Sequence, residues 1–253
     1  MLENAGNVVA IVDDDPSVRE ATANLLKANG FKAEGFASAS EFLNSSQPDV
    51  AGCVILDLRL PVMSGLELQR HLAAEHTTIS VVFITAHGNP EIQKEAIKAG
   101  AIDFLPKPFS EEALLRATRN ALEKSENNVK AKLAEHFLAG LRNRDWNSLR
   151  PLMTADVIWS FPGHSVISGE ACGVEGVVRR AQTIVSFGIN FEVKHILVGQ
   201  HGVALSLHNT AQRDGLMLDE HLAIVFGLRD RKIAAINTYL SDVDLLNAFF
   251  ISV

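Results

Sequence analysis

Cysteine is scarce. Cys53 and Cys172 are the two in 253 residues, far apart and without the paired spacing of a metal site or disulfide framework. They read as two free thiols in a reducing compartment, so the chain is expected in the cytoplasm. No apolar run approaches the ~18–20 residues that a membrane span needs, and the acidic opening MLENAGNVV is not that of a signal peptide. Basic residues are also in deficit. Up to Asn128 there are 11 Lys and Arg against 18 Asp and Glu, a net of −7; from Val129 onward there are 12 of each. A binder of the phosphate backbone carries a basic face, so neither half is expected to grip nucleic acid. The short groups Arg179-Arg180 and Arg229 to Lys232 read as solvated helix ends or turns. Internal repeats and low-complexity tracts are missing as well.

What is present is an ordinary globular composition, 47% hydrophobic, with length enough for two domains. VVAIV (8–12), KAEGF (32–36), CVILD (53–57), VVFIT (81–85) and DFLP (103–106) read as strands, with helices expected at 17–29, 39–46, 65–75, 90–99 and 110–124. Strands without alternation, separated by helices, mean a parallel sheet covered on both faces. Five such units suit an α/β, doubly wound, flavodoxin-like domain over residues 1–124. SENNVKAK (125–132) is a polar connector that, free of Pro and Gly, can equally continue the preceding helix.

Residues 133–253 read differently. Helical pattern covers 131–143 and 146–153, followed by the strand ADVIWSF (155–161) and a helix near 173–186. Four strand-like runs then follow, 189–198, 203–213, 216–228 and 232–240, before a final helix at 242–250. This is an α+β domain with an antiparallel meander. Asp214-Gly215 is a strong hairpin signal. As a two-residue turn it pairs His208 with His221, Asn209 with Glu220 and Leu207 with Leu222. A turn at Gln200-His201 puts His195 opposite Ser206. One sheet face then carries Val203, Leu205, Leu207, Leu222, Ile224 and Phe226, with Asn209 and Glu220 as its polar members. The other carries His195, Ser206, His208, Asp219 and His221.

The strands of the first domain end in chemically pointed residues: Asp13-Asp14-Asp15, Asp57, Thr85 and Lys107. In a doubly wound sheet such residues converge beyond the carboxyl ends of the strands, where ligands bind. Carboxylates gathered there repel and need a counter-ion, and hard oxygen donors suit Mg²⁺. Lys107 adds an ammonium and Thr85 a hydroxyl. An aspartate so placed is arranged to attack phosphorus. Taken singly, each residue has a plainer reading: Asp13 to Asp15 as a helix cap before Ser17, Thr85 and Lys107 as ordinary strand ends.

The constellation resembles the receiver domain of two-component response regulators. The likeness rests on VDDDPSVR, LDLRLPVMSG, ITAHG and the Lys-Pro of LPKPF, across residues 7–124. The resemblance implies Asp57 as phosphoacceptor. It implies Mg²⁺ held by Asp14, Asp57 and the Arg59 backbone carbonyl, with Asp13 completing the acidic pair. Thr85 and Lys107 would contact the phosphoryl group, Phe104 would be an aromatic switch, and the Lys107-Pro108 bond would be cis. It further implies a sensor histidine kinase or phosphotransfer protein as partner.

The second half resembles the nuclear-transport-factor-2-like, or SnoaL-like, fold. The matching stretches are DWNSLRPLMTADVIWSFPG, ISGEACGVEGVV and FGLRDRKIAAINTYLSDVDLLNAFF, with Arg231 departing where the common turn has Gly. That fold curls its sheet around a conical pocket, and its members are either enzymes or binding and dimerisation modules; fold alone does not decide. Two functions therefore stay open. In one, phosphorylation switches a small-molecule-binding, homodimerising module. In the other it regulates an isomerase, cyclase or hydratase acting on a small apolar substrate. Pocket candidates are Asn209, Glu220, Tyr239 and His164. The face with His195, His208 and His221 can bind Zn²⁺, titrate in a dimer interface, or consist simply of half-exposed strand positions. Tyr239 also reads as rim packing, Asp242 as the cap of the final helix, and Trp146 and Trp159 as core.

Overall fold

The computed structural model describes residues 8–75, 77–86 and 90–251. The acidic opening at 1–7 and the His87-Gly88 of ITAHG lie outside them. The chain divides into two compact units, Met1–Asn128 and Val129–Val253.

The first unit runs β1 (Val8–Val12), α1 (Pro16–Ala28), β2 (Lys32–Phe36), α2 (Ala39–Leu43), α3 (Gln47–Val50), β3 (Cys53–Asp57), α4 (Gly65–Ala74), β4 (Ser80–Thr85), α5 (Pro90–Lys98), β5 (Asp103–Pro106) and the start of α6 (Glu111–Asn143). Its strands are all parallel, in the order β2-β1-β3-β4-β5. Every residue of β3 and β4 is buried, which is why their sequences run apolar without alternation. Val54, Leu56 and Phe83 pack into one core layer, Ile55, Val82 and Ile84 into the other. Helix starts are pinned beside the strand ends. Asp15 caps α1 by accepting the Ser17 and Val18 amides, and Pro16 occupies the first turn, where its missing N–H is not needed. Ser64 and Glu67 form a capping box at α4. Cys53 is fully buried, which pushes its thiol pKa up and leaves it inert.

The second unit contains the rest of α6, α7 (Trp146–Leu149), a 3₁₀ turn (Arg150–Leu152), β6 (Met153–Phe161), β7 (Gly169–Cys172), α8 (Gly173–Ser186), β8 (Asn190–Val198), β9 (Gly202–Arg213), β10 (Leu216–Arg229), β11 (Lys232–Leu240) and α9 (Val243–Phe249). The sheet order is β7-β6-β11-β10-β9-β8. The meander β8 to β11 is antiparallel as expected, but β11 runs parallel to β6, so the sheet is mixed. Hairpins pair β8 to β11 with one another, and β6 adds to the far edge of β11 while β8 forms the opposite edge of the sheet. Bulges at Gly227/Leu228, Ile233/Ala235 and Val193/His195 bend the strands.

Asp214 and Gly215 take φ of 51° and 82°, a two-residue turn with both positions left-handed. The register follows from it: His208 opposes His221, Asn209 opposes Glu220, and Leu207 opposes Leu222. The aliphatic face, Val203 to Phe226, is buried against Phe137, Trp159 and the helices. The next turn is shorter than the expected Arg229–Arg231 loop. Asp230 and Arg231 alone close it, at φ of 52° and 58°. Left-handed backbone costs a residue with a Cβ about 1–2 kcal/mol, partly offset for glycine by its freer unfolded chain. Arg231→Gly is accordingly expected to stabilise the second unit by about 0.5–1 kcal/mol, a rise of roughly 2–4 °C in Tm. Calorimetry of the second unit's transition checks this.

Residues 125–132 lie inside α6, which is continuous over 33 residues. SENNVKAK holds no residue that stops a helix, and its Lys and Ala favour one. Leu114, Ala117 and Ala121 of α6 belong to the core of the first unit; Ala134, Phe137 and Leu138 belong to that of the second. Arg180 corrects the reading of Arg179-Arg180 as solvated. It is 9% exposed, and its guanidinium donates to the carbonyls of Trp159 and Ser168 and lies over the Trp159 ring. Two buried carbonyls and an indole face replace the water it gives up. Among the described residues, no helix is long and apolar enough to cross a membrane.

Candidate functional site

The loops after β1 and β3 meet where the strand order reverses. One carboxylate oxygen each from Asp13, Asp14 and Asp57 lies within 4.8 Å of the others. Asp13 is fully buried, Asp57 is 9% exposed, and Asp14 faces solvent. Lys107, just past β5, brings Nζ to 2.7 Å from Asp13 Oδ2 and 3.6 Å from Asp57 Oδ2. Asp13 Oδ1 accepts the Asp15 amide at 2.9 Å, so both its oxygens are engaged. Among the described residues Asp57 Oδ1, which is buried, has no hydrogen-bond partner of good geometry. Burial raises the Asp57 carboxyl pKa above its ordinary value; the Lys107 charge works against this and the Asp13 charge adds to it. Three carboxylates gathered beside one ammonium leave an excess of negative charge, and their hard oxygens fit Mg²⁺.

Thr85 closes β4, 1% exposed, and its carbonyl accepts the Lys107 amide at 2.8 Å. The Lys107–Pro108 bond is cis. Phe104 is buried, its ring centroid 6.0 Å from that of Phe83. Two supporting residues escaped the sequence reading. Arg19 Nη1 donates to the carbonyls of Asp13 at 2.7 Å and Asp14 at 3.4 Å, holding the acidic turn. Gly65 lets α4 approach β3: a Cβ there would stand 2.3 Å from the Asp57 carbonyl oxygen. VDDDPSVR contained the signal for Arg19, a cation one helical turn inside the cap; nothing local signals the contact at Gly65.

In the second unit, Asn209 and Glu220 are cross-strand partners on the buried face. Glu220 is fully buried. Its Oε1 accepts the amides of Ser241 at 2.6 Å and Asp242 at 3.1 Å and the Ser241 hydroxyl at 3.2 Å, which anchors the turn into α9. Among the described residues, Glu220 Oε2 and Asn209 Oδ1 are buried without partners. Tyr239 does not join them. It pairs with Ala223, so strand alternation turns it to the opposite face, where it is 59% exposed. His164 lies elsewhere again: its amide donates to Asn247 Oδ1 at 2.9 Å, and with Asp244 and Phe250 it lines an open cavity of about 440 Å³. Asp242 accepts the Leu245 amide and caps α9. On the outer face His208 and His221 stack, centroids 4.4 Å apart. His195, opposite Ser206, stays outside this group. The bulge beside it slips β8 by one residue and sets Glu192 opposite His208.

Residues 9–119 match the family described as response regulator receiver domain, and residues 134–236 match the SnoaL-like domain. The chain is 46% identical over 122 residues to the response regulator protein TodT of Pseudomonas putida, covering 48% of this chain and 54% of that protein. It is 36% identical over 150 residues to the transcriptional regulatory protein FixJ of Azorhizobium caulinodans, covering 57% and 71%. Among solved structures, the response regulator StyR is 45% identical, covering 58% of this chain and 70% of that one, with a TM-score of 0.46. The chain spans about half the length of TodT.

Proposed function

Because the chain belongs to the response-regulator family, with a receiver domain followed by a SnoaL-like domain, we propose that phosphorylation of Asp57 switches the C-terminal domain. The observation that carries this reading is the Asp57 carboxylate, gathered with those of Asp13 and Asp14 and with the Lys107 ammonium 3.6 Å from one oxygen. The donor is a sensor histidine kinase or phosphotransfer protein. In the transfer an Asp57 oxygen bonds to phosphorus while the donor's phosphorus–nitrogen bond breaks, leaving an acyl phosphate on Asp57. Lys107 and Thr85 hold the phosphoryl oxygens. Asp14, Asp57 and the Arg59 carbonyl, beside Asp13, would hold Mg²⁺, which when bound would supply positive charge for this dianion. The phosphoryl adds about −1.5 to −2 charge and biases the receiver between two states through Thr85 and Phe104. α6 continues unbroken through 125–132 and offers the route onward.

The output we infer is a ligand-binding or dimerisation module of a cytoplasmic homodimer; its largely aliphatic buried sheet face supports this. FixJ is a transcriptional regulatory protein, whereas a charge-neutral half without a basic surplus favours an output other than DNA here. A phosphorylation-regulated isomerase, cyclase or hydratase is the second reading, favoured by the adjacent unpartnered oxygens of Asn209 and Glu220. Incubation with Mg²⁺ and acetyl phosphate tests the first step: wild type should gain one phosphoryl mass and Asp57→Asn none. Sedimentation of the same samples then reads the dimer switch.

A further inference from the structure

We infer that the outer face of the C-terminal sheet binds a divalent ion of the zinc class between His208, His221 and Asp219. The register places these side chains together. His208 lies directly opposite His221, and Asp219 precedes His221 by two residues on the same face of β10. One ligand atom from each lies within 4.8 Å of the other two. A tetrahedral zinc with ligands at 2.0–2.2 Å requires them roughly 3.3–3.6 Å apart, a closure within reach of side-chain rotation on a fixed backbone. His208 Nε2 and Asp219 Oδ1 are already at 2.6 Å.

The chemistry selects the ion. The two imidazole rings lie face to face, 8° from parallel with centroids 4.4 Å apart. Two imidazoles and a carboxylate suit zinc over calcium or magnesium, which take oxygen. On the neighbouring strand Glu192 Oε2, ion-paired with Lys194 at 2.6 Å, is 4.0 Å from His208 Nδ1, where it can orient the ring as an outer partner while Nε2 faces Asp219. Outer-face neighbours Ser206, Thr210 and Ala223 are small. The ion would staple β9 to β10, and through Glu192 to β8, at a place separate from the receiver carboxylates.

Zn²⁺ alone, titrated into the full chain with millimolar Mg²⁺ present to occupy the receiver carboxylates, tests the site. Calorimetry should find one zinc per chain. His208→Ala and His221→Ala should each weaken it at least about 100-fold, since losing even an outer partner of a ligand costs 10–100-fold. Asp57→Asn and His195→Ala should leave it unchanged, and tryptophan fluorescence reports that the second unit, which holds Trp146 and Trp159, is folded in each variant. Zinc uptake absent at micromolar concentration, surviving both histidine substitutions, or lost with Asp57→Asn would overturn the assignment.

Discussion

Asp57→Asn is expected to abolish phosphoryl uptake and, in Mg²⁺-free buffer, to make the receiver more stable rather than less. The amide keeps the shape of the side chain but has no nucleophilic oxygen to carry phosphorus. The stability gain follows from the carboxylate's surroundings. Burial is the dominant influence and raises its pKa. An acid whose pKa is higher folded than unfolded loses stability as pH climbs from its ordinary value, ~3.9, through the raised one, and bears the whole penalty above that. Asparagine removes the penalty. It gives up the Asp57–Lys107 contact at 3.6 Å, while Lys107 keeps Asp13 at 2.7 Å. The gain should be on the order of 1 kcal/mol, because the neutral amide avoids holding a buried charge out of water. Mg²⁺ reverses the order. At about 100 times its Kd a ligand stabilises by about 2.7 kcal/mol, and Asp57→Asn forfeits most of that. Calorimetry of the receiver transition should show the two melting curves cross: variant above wild type with a chelator, below it with Mg²⁺. A variant less stable in both buffers contradicts the electrostatic account of the site.

Trp159→Ala should cost the second unit about 3–5 kcal/mol, the range for emptying a large aromatic from a core. Trp159 is 2% exposed and makes edge contacts with Phe137 and tilted ones with Phe161. Its Nε1 donates to Thr238 Oγ1 at 2.9 Å, and Arg180 lies over its ring. Truncation thus opens a cavity, leaves a buried hydroxyl without its donor and uncovers a buried cation. Typical domains hold 5–15 kcal/mol in all, so the unit should become marginal. Both tryptophans, Trp146 and Trp159, lie after Asn128. Urea unfolding of the variant followed by Trp146 fluorescence therefore reads the second unit alone. The receiver transition should stay where it was, because its core shares no side chain with Trp159.

The elements of the receiver were legible because buried parallel strands write themselves as unbroken apolar runs. β1 to β5 lie within one residue of the expected spans, and Asp15, Gly30 and Pro90 mark helix ends by local chemistry. The acidic cluster was legible for the same reason: strand ends are known once strands are, and the doubly wound order brings them together. In the second unit Asp214-Gly215 set a register that carried His208 to His221 and Asn209 to Glu220.

What the sequence determined by itself was whatever depends on near neighbours: periodicity, caps, the Asp-Gly turn and the alternation of faces it starts. Only the tertiary structure decided the rest. A one-residue bulge at Lys194, which no local residue announces, set Glu192 rather than Val193 opposite His208 and left His195 opposite Ser206. The parallel contact of β11 with β6 joins residues about 80 positions apart, and the approach of Gly65 to the Asp57 carbonyl depends on how α4 packs over β3. Such contacts are chosen by burial summed over the whole core, a free energy to which no short stretch of chain holds the key.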